Sequence, residues 1–186
     1  MTTTVAIVEI LVVGLFAALW VLPCVALLGD IRWDRIQSWA KDYKEWSAAA
    51  TLAGTMAIYQ LGWLVNGLSR AIMWPFAKRV RNRLHSKSRV DPEEVRATVY
   101  QLGSPVVLKD LDLDQSVIRL ARAGIVNFLL ISLLLLSAGG QTASVAAVSL
   151  ALVVGCVLQW WHRNGRYYKR IIEVCKVIRD HKTAAR

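Results

Sequence analysis

Asp, Glu, Lys and Arg are missing altogether from three long stretches of this 186-residue chain: Ile10 to Gly29, Trp46 to Ser69, and Ala123 to Trp161. A helix needs about 20 apolar residues to cross the roughly 30 Å hydrocarbon core of a bilayer, so the first two stretches each fit one span. The third holds 39 residues. As one straight helix it would rise about 58 Å and overshoot any bilayer, so it must fold back on itself. Ser137-Ala138-Gly139-Gly140-Gln141-Thr142 is the expected turn, with paired glycines and small polar residues interrupting a Leu/Val/Ala run. A buried soluble hairpin is excluded by composition. With 55% hydrophobic residues and a mean hydropathy of +0.40, the chain lacks the polar surface to cover four such helices in water.

Other scarcities exclude chemistry. The three cysteines, Cys24, Cys156 and Cys175, are far apart, which implies neither a disulfide framework nor a thiol metal site. His85, His162 and His181 are scattered, and no HExxH, GxSxG or phosphate-binding P-loop occurs. Asp110, Asp112 and Asp114 alternate with apolar residues, but their spacing fits no calcium loop; such acids cap helices or pair with arginines. No catalytic residue, metal or cofactor is therefore expected, and the protein is expected not to be an enzyme.

The charges that are present are unequally shared. Asp30 to Glu45 is neutral, with four basic and four acidic residues. Arg70 to Arg122 carries eleven basic against six acidic residues, and His162 to Arg186 eight against two. Under the positive-inside rule the long loop and the tail are cytoplasmic, and with four spans so is the amino terminus. Met1-Thr2-Thr3-Thr4 has no positive n-region, so the first span is expected to stay uncleaved. Compact loops and the lack of any organellar or lipidation motif point to a multi-pass protein of a bacterial inner membrane.

The fold class is thus expected to be all-α, with four transmembrane helices, an external interfacial helix, short cytoplasmic helices and both termini cytoplasmic. Residues 1–29 make span one, 30–45 the external loop, 46–73 span two, 74–116 a basic cytoplasmic loop, 117–161 the hairpin of spans three and four, and 162–186 the tail. In the external loop Trp33, Ile36, Trp39, Tyr43 and Trp46 recur at helical spacing, which suits an amphipathic helix in the outer interface. Asp91-Pro92-Glu93-Glu94 opens a helix that ends near Gly103, and Asp112 or Asp114 is expected to cap the next one. A break is expected at Asn164-Gly165.

Four groups of residues stand out. Thr51, Thr55, Tyr59, Gly62, Asn66 and Ser69 fall within an arc of about 80° on span two. Ser144, Ala151, Gly155, Gln159 and His162 make a second polar stripe on span four. Either stripe suits helix packing, or the lining of a conduit in an oligomer ringed around the span-two stripe; the lack of deep ionisable residues favours packing. Lys78, Arg79, Arg81, Arg83, Lys87 and Arg89 form a juxtamembrane basic cluster. It gains about 1 kcal/mol per cation from an anionic leaflet, so lipid headgroups are its expected partner. Without a glycine-rich phosphate loop or aromatic stacking pattern, nucleic acid is not expected. Tyr168, Ile171, Cys175 and Ile178 form an apolar stripe on the tail, a docking face for the inner leaflet, the helix beginning at Pro92, or a soluble partner protein. Glu9, at the inner edge of span one, is expected to pair with Arg70, Arg122 or Arg163.

The preferred function is a homo-oligomeric channel or membrane-perturbing effector controlled through its basic cytoplasmic face, with bacterial defence or stress systems as an analogous setting. The alternatives are a membrane anchor or scaffold that recruits a soluble partner, and a small transporter.

Overall fold

In the computed structural model, residues 3–28, 47–88, 92–138 and 142–184 are described, and all of their regular structure is helical. The external loop, including its expected amphipathic helix, lies outside them. Five α-helices follow in chain order: α1 (Thr3–Leu28), α2 (Ser47–Ser88), α3 (Pro92–Leu102), α4 (Pro105–Ser137) and α5 (Ala143–Ala184). All but α3 are long and apolar enough to cross a membrane.

Three of those helices also run far beyond their charge-free segments. At 1.5 Å per residue, the 42 residues of α2 and of α5 each rise about 63 Å, twice the hydrocarbon thickness. Pro75 removes one intrahelical bond from α2, yet the helix continues through it. α5 likewise runs straight through Asn164-Gly165, where a break was expected. Packing decides this: Asn164 and Tyr167 are buried, so the residues flanking Gly165 are held against neighbouring helices. α4 begins well before the expected cap. Ser104 is its N-cap, accepting from the Val107 N–H at 3.4 Å, with Pro105 at the first helical position. Asp110, Asp112 and Asp114 therefore lie within the helix, and none of them caps it.

α4 is the central element, touching α1, α2 and α5, while α1 pairs mainly with α2 and α5 mainly with α4. Two cores result. At membrane depth Val13 and Ala17 of α1 meet Val65 of α2 and Ala123 and Val126 of α4. Here α1 and α2 cross closely, because a Cβ on Gly14 would fall on the Ile58 carbonyl and one on Gly62 on the Ile10 carbonyl. The second core joins Val95 and Val99 of α3, Leu111 of α4, and Tyr167, Ile171, Ile172 and Cys175 of α5. It lies in the charged end layer of the bundle. Along the uncharged segments, Leu15, Leu19, Leu52, Met56, Leu133, Val148, Val154 and Leu158 are exposed, far more apolar surface than a water-soluble protein leaves open. The molecule has the build of a multi-pass membrane protein.

Candidate functional site

The two polar stripes meet different fates. On α2 the lower half of the stripe is consumed by packing: Gly62 and Ser69 are buried and Asn66 is half-buried. Arg122 of α4 reaches across to them, with Nη2 donating to Asn66 Oδ1 at 2.9 Å and Nε to Ser69 Oγ at 3.2 Å. Ser69 Oγ in turn donates to the Asn66 carbonyl at 2.9 Å. Higher up, Thr51 and Thr55 are exposed, and Thr55 Oγ1 donates to the Thr51 carbonyl at 2.8 Å. Tyr59 sits between, half-buried. A ring of subunits centred on this face would have to displace α1 and α4.

The α5 stripe is open along its whole length. Ser144, Ala151, Gly155, Gln159 and His162 are all exposed, and so are Arg166, Lys169 and Glu173. At 100° per residue these eight fall within one arc of about 80°. His162 Nε2 lies 3.0 Å from Arg166 Nη2. Around them Trp161, His162, Gly165, Arg166, Lys169, Arg170 and Glu173 line a groove of about 530 Å³. In the uncharged segment the same arc also holds Val148 between Ser144 and Ala151, and from Gln159 onward it leads into a basic segment.

A layer of ion pairs closes the charged end of the bundle. Glu9 pairs with Arg119, Nε to Oε2 at 3.0 Å, and with none of the three expected arginines. Arg119 also donates to Ser116 Oγ at 3.1 Å. Arg119 and Arg122 lie about 60° apart on α4, so one faces α1 while the other faces α2. Asp114 accepts from Arg163 at 2.9 Å and Asp110 from Arg170 at 2.7 Å, tying α4 to α5. Gln115 Nε2 donates to Tyr100 Oη at 3.0 Å and Tyr167 Oη at 2.6 Å, joining α3, α4 and α5. Burial pushes the Tyr167 hydroxyl, which lies beyond the uncharged segment, well above its ordinary pKa and keeps it protonated.

Deeper in the bundle a single amide stitches α1 to α4. Asn127 Oδ1 accepts from Trp20 Nε1 at 3.0 Å, and its Nδ2 donates to the Val13 carbonyl at 3.1 Å. Sequence reasoning passed over it, although a lone amide in an apolar run is itself the signal, since lipid offers it no partner. Ser149 makes a similar tie from α5, donating to the Phe128 carbonyl at 2.9 Å.

In the basic cluster Lys78, Arg79 and Arg83 are exposed, while Arg81 is half-buried. Arg79 lies over the Phe76 ring and Arg81 over the Trp74 ring, 6.0 and 5.7 Å from their centroids. Arg89 and the Lys87 side chain lie outside the described residues. The tail stripe is covered from within: Ile171 and Cys175 are buried against Val95, Val99 and Leu111, with Tyr168 packed at the edge. Ile178 is half-buried. Of the faces considered for the tail, it is the helix beginning at Pro92 that meets this one. Among the described residues no three His, Cys, Asp or Glu side chains gather where they could hold a metal ion. No family model matches the chain, and no match was found among curated proteins or solved structures.

Proposed function

We propose that this is a non-enzymatic, homo-oligomeric protein of a bacterial inner membrane that forms a regulated conduit or membrane-perturbing assembly. The supporting observation is the open face of α5, with Ser144 near one end, small residues Ala151 and Gly155 along it, and Gln159, His162, Arg166 and Lys169 toward the other. Gln159 lies two residues inside the charged end of the uncharged segment, where water reaches it, and the small residues Ala151 and Gly155 above it let another subunit approach closely. Four helices enclose no pore alone, and an assembly that gathers several α5 faces supplies one. Arg166 and Lys169 at its charged mouth favour anions. The charged end layer, cytoplasmic by the positive-inside rule, is the control element, because α2, α4 and α5 enter the bundle from it as unbroken rods. Lys78, Arg79 and Arg83 hold anionic headgroups beside it.

The test is halide uptake by proteoliposomes containing a halide-quenched dye. Wild-type vesicles are expected to quench faster than empty ones, and the Ser144→Leu/Gln159→Leu variant to fall to the empty-vesicle rate. Vesicles that stay tight, both alone and after cytosol is added, would overturn conduction. That result would favour the anchor or scaffold reading, whose recruiting surface is the exposed basic cluster.

A further inference from the structure

The face of α2 opposite the arginine-bound stripe carries an amide with no hydrogen-bond partner among the described residues. Ala53, Ala57, Gln60, Leu64, Gly67 and Ala71 are all exposed and fall within about 80° of one another, about 160° around the helix from the Thr51–Ser69 stripe. Their 4-3-4-3-4 spacing is that of a left-handed coiled-coil seam. Most are small, and a Cβ on Gly67 would meet no atom within 4 Å, so a second backbone can approach closely. Beside Gly67 and Ala71 the surface dips into a hollow of about 330 Å³, reaching Arg70 and Trp74. Gln60 lies about 4 Å from the midpoint of the uncharged Trp46–Ser69 segment, where neither lipid nor water offers it a hydrogen bond.

We infer that this seam is a parallel α2–α2 contact between two copies of the chain, with Gln60 bonded to Gln60 across a twofold axis. Copies inserted by one topology rule share one orientation, so identical residues meet at identical depth. A carboxamide both donates and accepts, so the pair is self-complementary, as a twofold contact requires. The seam spacing is symmetric in the same sense, and the hollow at Gly67 receives a side chain from the facing helix in the manner of a knob in a hole. The inference rests on the homo-oligomeric part of the proposed function and names its contact surface. The α5 face is left free for the conduit.

Oxidative cross-linking of single-cysteine additions in native membranes tests the contact, with the wild-type chain as the background for its own cysteines. Ala53→Cys, Ala57→Cys, Leu64→Cys and Gly67→Cys are expected to give disulfide-linked dimers, and Leu52→Cys and Thr55→Cys, exposed but off the seam, only the background. Gln60→Leu, which leaves insertion intact, is expected to raise the dimer dissociation constant in mild detergent about tenfold. Cross-linking without the 4-3 period, adducts to a different protein, or a Gln60→Leu dimer as tight as wild type would overturn the inference. Halide uptake separates it from the conduit: seam dimers in tight vesicles uphold this contact and sink conduction, whereas flux without seam dimers does the reverse.

Discussion

The stripes on α2 and α5 look alike as sequence, each a run of small and polar residues along one face of an uncharged helix, yet the fold uses one and leaves the other open. Asn66 and Ser69 receive an arginine from α4, and Gly62 lets α1 cross. Gln159 and His162 are exposed, Gln159 at the rim of a hollow shared with α1 and α4. The difference arises because α4 packs against both α1 and α2 and sends Arg122 to the second of them. A polar side chain within a span therefore reports a need for a partner, and only the order of helices tells whether that partner is internal.

This contrast can be broken at several points. The largest effect is expected where the internal network is cut through its ion pair. Arg119→Met strands the nearly buried Glu9 carboxylate and should cost about 3–5 kcal/mol of unfolding free energy in detergent, with Glu9→Gln/Arg119→Met regaining much of it. An intact Arg119→Met protein would show that Glu9 is solvated and the layer dispensable. Next comes Gly62→Val, whose added atoms meet the Ile10 carbonyl; a loss of about 1–3 kcal/mol and a lower thermal midpoint are expected. Asn66→Leu removes one acceptor from Arg122 and should cost about 1–3 kcal/mol in the same assay. At the small end, Gln159→Leu should leave stability within about 0.5 kcal/mol of wild type while lowering halide uptake. If Gln159→Leu destabilised the isolated subunit as much as Asn66→Leu, the two stripes would be equivalent after all.

The spans were readable because missing charge is a one-dimensional signal: each of the four long apolar helices contains a long part of one of the three uncharged segments. The start of α3 at Pro92 and its end before Gly103 followed from local capping chemistry, which neighbouring residues decide. Glu9 shows where such reading stops. Its partner depends on which face of α4 turns toward α1, and a three-residue step from Arg122 to Arg119 changes the neighbour. Asp114 failed as a cap for a related reason, since Ser104 and Pro105 start the helix earlier and leave the carboxylate to Arg163. The α2 stripe was visible as a pattern, but its division into an arginine-bound half and an exposed half needed a third helix.

The unbroken course of α5 fixes rotational phase over distance. Ser144 and Lys169 share a face about 38 Å apart on one hydrogen-bonded rod, so whatever turns the helix at its charged end turns its far end by the same angle. One residue inserted after Trp161 would swing the basic segment about 100° away from the polar one while leaving every side chain's chemistry unchanged.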